Sequence, residues 1–298
     1  PPMIFIVSAL SYSLLGNFYL VNVLSFICML TITLVPIVFV ILLFFINKKK
    51  GVFFNICLSL CVIAISVLIT CYTQMRSANA QIEMIGTAFL SVYFLLIYFI
   101  DSKNAKFYSP LVIVSGFIFM ISFMFKEPFG VLGLAGALLL VKNKKDLIYK
   151  FAMPVAYSIV FALLVFICTG TLIPYITFYL PHMFGAHIGI HGSPFARMFN
   201  LAKVIDDINK GSKVLLPVIV ICILLVVLKI VVFDHKEENS KKKKIIIISL
   251  RLVALIALIF ATSFSIGVGG HYFSHHFAFG SPIYVLLFFN DANFVFLR

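Results

Sequence analysis

Charge is what this sequence has least of. Only 11% of its 298 residues are Asp, Glu, Lys or Arg, and just ten of them are acidic, where an ordinary soluble domain carries about 25% charged residues. With 63% hydrophobic residues and a mean hydropathy of +1.16, that shortage excludes a soluble globular protein and points to an integral membrane one. Also missing is any CxxC pair or metal-ligand spacing among the six cysteines. Cys28, Cys57, Cys61, Cys71, Cys168 and Cys222 lie in or beside apolar runs and read as small core hydrophobes. There is no P-loop, no glycine fingerprint for a nucleotide, no Ser/His/Asp order of a hydrolase and no internal repeat of the transporter kind. The net charge of +13 has no separate basic domain to present it to a nucleic acid. The chain begins PPMIFIVSAL, without Met or a signal peptide, so it is expected to be a fragment whose start lies upstream.

What is present is a succession of apolar runs. Segments 22–46, 52–72, 84–100, 109–125, 128–141, 151–169, 214–233, 245–266 and 283–297 read as spans of a hydrocarbon core roughly 30 Å thick. They must be helical, because each span has to satisfy its own backbone groups. Segment 3–15 is too short to cross upright and reads as an interfacial or re-entrant helix. The expectation is an all-α polytopic bundle of about nine spans plus that helix, a single domain over 1–298 with a long outer loop, 170–213.

The connectors sort by charge. Those at 47–50, 101–106, 142–150 and 234–244, with Lys229, Arg251 and Arg298 near the same ends, hold seventeen of the 23 Lys and Arg; the alternate connectors hold six. The positive-inside rule makes the first set cytoplasmic. The tetralysine in SKKKK is able to attract anionic lipid, but it reads first as an orientation signal. The outer face then gathers the amino-terminal PP, Glu83, Lys126, the 170–213 loop and the stretch GVGGHYFSHHFAFGSP.

Four groups on that face carry chemistry. Lys126, in FMFKEPFG, reads as a snorkelling lysine at a hairpin, as a local partner of Glu127, or as a cation aimed at an anionic headgroup. Glu83 opens a helix, where the dipole favours a carboxylate. His271 and His275 share a helical face, with His276 beside them; they suit a phosphate or sugar, a metal, or no catalytic role at all. In the outer loop His182, His187, His191 and Arg197 stand among aromatics, and the polar piece KVIDDINKGSK reads as a helix.

In their order along the chain, PPMIFIVSALSYSLLGNFYLVNVLS, SANAQIEMIGTAFL, GFIFMISFMFKEPFGVLGLAGALLL and GGHYFSHHFAFGSPIYVLLFF resemble motifs of membrane glycosyltransferases of the GT-C fold. These enzymes take a sugar from a polyprenyl phosphate, as in the dolichyl-phosphate-mannose protein mannosyltransferases and bacterial aminoarabinose transferase. The resemblance implies inverting transfer on the outer face of a bacterial inner membrane to a glycan, lipid or protein hydroxyl. It implies that Lys126 and His275, helped by His271 and His276, bind the donor phosphate, and that Glu83, Arg76 and Tyr272 position substrate. The general base, an Asp or Glu, is implied upstream of Pro1. No cofactor is implied with certainty; a divalent cation stays open, and no metal site is assigned. Besides the lipid-linked donor and the acceptor, membrane lipid is the expected partner and nucleic acid is not. An enzyme of the O-antigen ligase or polymerase type, and a lipid or solute transporter, are the alternatives.

Overall fold

The computed structural model describes residues 2–46, 82–182, 185, 201–211, 215–232 and 241–267. The expected spans 52–72 and 283–297 lie outside them. Among the described residues the regular structure is helical, with no strand. Helix α1 is Pro2–Leu15, α2 is Tyr19–Ile46, α3 is Ile82–Phe99, α4 is Pro110–Phe125 and α5 is Pro128–Leu139. Next comes α6, Lys144–Thr169. A shorter stretch, α7, joins Leu172–Pro174 to the π turn Tyr175–Tyr179. Then follow α8 (Leu201–Gly211), α9 (Leu215–Val232) and α10 (Lys241–Gly267).

Two of these bounds differ from the sequence reading for local reasons. Helix α6 starts at Lys144 rather than 151, because the Asn143 side chain caps it, its Oδ1 accepting from the Asp146 N–H at 2.9 Å. A π turn at Leu147–Ala152 comes just before Pro154, whose ring and missing N–H disturb a regular α ladder. The 170–213 segment, expected as a loop, opens with the helical α7 and later contains α8, which falls on the predicted polar helix.

Stretches of α2, α6 and α10, namely Tyr19–Phe39, Lys144–Thr169 and Ile245–Ser265, are long and apolar enough to cross a membrane. Their outward faces are apolar too: Leu30 and Leu34 on α2, Ile159 and Leu163 on α6, Val253 and Ile256 on α10 are all exposed. Apolar faces of this extent have no place on a soluble monomer, and lipid covers them. Helix α5, with 12 residues, rises only about 18 Å. It falls short of the core thickness by itself.

Helix α3 packs between α2 and α4, α4 packs on α6, and α5 packs on α10. One buried cluster, including Phe39, Tyr93, Phe119 and Phe129, fills one half of the bundle. A second, including Ile85, Met120 and Phe166, fills the other, and Met3, Ile4 and Val7 of α1 pack against it. Gly16, at φ +66°, turns the chain between α1 and α2, a left-handed conformation that favours glycine. Ser11 secures the corner, its hydroxyl donating to the Asn17 carbonyl at 2.7 Å and accepting from the Leu20 N–H at 3.2 Å.

Gly116 sets the spacing between α4 and α6. A Cβ there would lie 2.5 Å from Tyr157 Cβ and 2.8 Å from the Pro154 carbonyl oxygen. Both belong to or adjoin helix backbone and have no rotamer by which to retreat. Small residues of this kind let membrane helices approach closely. Gly116→Ala is therefore expected to cost about 1–3 kcal/mol by overpacking, read as a lower midpoint of thermal unfolding in detergent micelles; an unchanged midpoint would mean that the two helices part without cost.

Candidate functional site

Polar chemistry gathers at the two ends of an otherwise apolar bundle. At one end the chain leaves α4 through Lys126, whose extended backbone (φ −159°, ψ 129°) breaks the helix before Pro128 opens α5. That break turns the Lys126 side chain toward the first turn of α3. Its ammonium donates to Oε1 of Glu83 in a short ion pair. Glu83 is buried, 5% exposed, and it gains from the helix dipole as well as from the cation. Next to the pair, the Ser122 hydroxyl donates to the Gly86 carbonyl at 2.9 Å, tying α4 to α3.

Glu127, the next residue, faces elsewhere. Its Oε1 accepts from the Tyr175 hydroxyl of α7 at 3.2 Å, and Tyr179 stacks on Tyr175 with ring centroids 5.2 Å apart. Burial raises both phenol pKa values and the Glu127 charge raises them further, so the two hydroxyls stay protonated. A groove of about 590 Å³ runs between α1 and α7 beside them. Phe5, Ile6 and Ala9 form one wall; Tyr175, Phe178 and Tyr179 form the other.

The opposite end is organised around Asp146, buried at 4% exposure. Its Oδ1 accepts from the Ser102 hydroxyl and lies 3.6 Å from the Lys150 ammonium. Its Oδ2 accepts from the Lys142 N–H at 3.1 Å and from the Asn143 amide at 3.0 Å. Lys145 donates to the Lys103 carbonyl at 3.1 Å, so two lysine-rich connectors meet here. Arg251, 1% exposed, reaches across from α10, its Nε donating to the Leu139 carbonyl at 3.1 Å near the end of α5. On the surface, Asp101 is held below the usual carboxylate range, first by the Asn104 amide and then by the Lys103 N–H.

No protein-family model, characterised protein or solved structure matches the chain. The residues themselves therefore carry the reading of the site.

Of the residues singled out in the sequence, Lys126 and Glu83 come together as partners of each other, across 43 positions of chain. Lys126 does not pair with its neighbour Glu127, which binds Tyr175 instead. His182 stands exposed on the rim of the α1–α7 groove. Arg76, His271, Tyr272, His275 and His276 lie outside the described residues, as do His187, His191 and Arg197. Among the described residues no group of three or more His, Cys, Asp or Glu is arranged to hold a metal.

Sequence reading missed Asp146, and it considered Glu127 only as a partner for Lys126. The signal for Asp146 was a lone acid three residues after Asn143 within a run of lysines, a spacing that allows reciprocal side-chain and backbone bonds at a helix start. Glu127 left no such mark. Its partners come from a segment 48 residues away.

Proposed function

We propose that this protein is a polytopic glycosyltransferase of a bacterial inner membrane. It moves a sugar from a polyprenyl phosphate to a hydroxyl of a lipid, glycan or protein acceptor on the outer face, with inversion at the anomeric carbon. In this reading the bundle has about nine spans, and the lysine-rich end around Asp146 faces the cytoplasm.

The observation that carries the reading is the Glu83–Lys126 pair, an ion pair held at the end of an apolar bundle opposite the lysine-rich connectors. A leaving phosphate develops charge that needs fixed donors in a water-poor place. Lys126 supplies a cation there, and Glu83 fixes its position until the donor phosphate competes for it. His275, His271 and His276 act as further donors to the phosphate, and Arg76 and Tyr272 position the sugar. The general base that takes the acceptor proton must be a group within hydrogen-bond reach of that proton.

The test is sugar release from a panel of radiolabelled polyprenyl-phosphate sugars by membranes holding the intact protein. Lys126→Ala is expected to lower release about 100-fold or more. Release unchanged in that variant would remove Lys126 from the chemistry, and no release from an adequate panel would remove the transferase reading. A transporter is the second reading, favoured by the buried Arg251 inside the apolar stretch of α10. It predicts lipid or solute movement in vesicles without any bond being broken.

A further inference from the structure

The lysine-rich end of the bundle is folded so that its acids are engaged and its ammonium groups are displayed. Three contacts lay the 101–109 connector on α6: the Ser102 hydroxyl donates to Asp146, the Lys145 ammonium to the Lys103 carbonyl at 3.1 Å, and the Tyr157 hydroxyl to the Phe107 carbonyl at 2.8 Å. Lys103, Lys106, Lys144 and Lys145 thereby share one end of the bundle, and all four are exposed. The two acids of these connectors are bonded where they stand. Asp146 is buried among its donors, and Asp101 accepts from the Asn104 amide at 2.7 Å and the Lys103 N–H at 3.1 Å. Among the described residues none of the four exposed lysines stands in an ion pair. Helices α4 and α6, packed on each other, both start at this end, and their dipoles add positive potential.

Hydrocarbon follows each pair of lysines closely. Phe107 and Tyr108 come after Lys106, Leu147 and Ile148 come after Asp146, and all four are exposed. The Lys106 ammonium lies 5.5 Å from the centre of the Tyr108 ring. Ammonium groups next to exposed apolar side chains complement a phosphate head joined to acyl chains. An acidic peptide would match the charge and leave the apolar side chains uncovered. We propose that this folded patch binds an anionic phospholipid of the surrounding bilayer. Its phosphate meets Lys103, Lys106, Lys144 and Lys145, and its chains lie along Leu147 and Ile148. The site uses neither Glu83 nor Lys126, so it stands or falls without the transferase reading.

The protein has no tryptophan, so Ile148→Trp, about one turn past Lys145, places a single fluorescent reporter beside the patch. Ile148 is 47% exposed and tolerates the larger ring. The full chain is reconstituted in vesicles of phosphatidylcholine with increasing fractions of phosphatidylglycerol, one or the other lipid being brominated in its acyl chains. Quenching is expected to show phosphatidylglycerol bound beside position 148 about fivefold or more tightly than phosphatidylcholine. Ile159→Trp, exposed on the same helix about 16 Å further along, serves as the reference and is expected to show no preference.

Lys103→Gln, Lys106→Gln, Lys144→Gln and Lys145→Gln, combined, are expected to abolish the preference at position 148. Replacing Lys241, Lys242, Lys243 and Lys244 by Gln is expected to leave it in place. Equal binding of the two lipids at position 148, or the same preference at both reporters, would overturn the proposal. So would a preference that survives the first set of substitutions or disappears with the second. Inorganic phosphate is expected to displace no more phosphatidylglycerol than NaCl does at the same ionic strength; stronger displacement would make soluble phosphate the occupant and overturn the lipid assignment. Should the first combined variant not fold, the comparison of the two reporters decides alone.

Discussion

Glu83→Ala is expected to lower the stability of the protein by about 3 kcal/mol, toward the lower end of the range of about 3–5 kcal/mol seen when one partner of a buried ion pair is removed. The loss comes from withdrawing the buried Glu83 carboxylate from the Lys126 ammonium. Lys126 has 21% of its side chain exposed, and partial hydration keeps the loss from the upper end. Unfolding in mixed detergent and dodecyl sulfate micelles measures it.

The double substitution Glu83→Gln with Lys126→Met removes both charges together and is expected to recover most of that stability, since neutral packing often replaces a buried pair at little cost. If the pair also serves sugar transfer, the double variant regains stability and not turnover. Recovery of both would show that the pair only holds α3 against α4.

At the other end of the bundle, Asp146→Ala is expected to be as severe, about 3–5 kcal/mol. It withdraws the acceptor from the Ser102 hydroxyl, the Lys142 N–H and the Asn143 amide at one stroke, and it takes the counter-charge from Lys150. Asp146→Asn keeps the shape and some acceptor capacity, so its loss is expected to be about half as large. Unfolding in mixed micelles again reads the difference. Equal losses for Ala and Asn would assign the effect to charge alone, and no loss for either would show that the connectors hold together without the acid.

The 18 residues of α3 span about 27 Å between these two ends. Sites so far apart, with no shared partner, are expected to add within about 0.5 kcal/mol. Glu83→Ala combined with Asp146→Ala is therefore a direct check that the ends of the bundle are energetically independent.

Composition and periodicity were enough to make the protein helical and membrane-bound. Lipid leaves no choice of backbone for runs as apolar as 22–46 or 245–266. Charge sets the expected sides of the connectors; Lys103 and Lys145 bring two of the four lysine-rich ones together, while 47–50 and 234–240 lie outside the described residues. Lys126 and Glu83 stood out singly because each is a charge beside an apolar run.

What depended on tertiary structure is which charge meets which. Lys126 has Glu127 next to it in sequence and still pairs with Glu83, because the extended backbone at the end of α4 swings its side chain over α3, leaving Glu127 to Tyr175. Asp146 stands among lysines in the sequence, and only the fold buries it beneath Ser102 and Lys150. The groove between α1 and α7 is of the same kind: no pattern of residues along the chain specifies it. It exists because two helices more than 150 positions apart are brought alongside each other, and such pairings depend on three-dimensional packing, which a one-dimensional period does not encode.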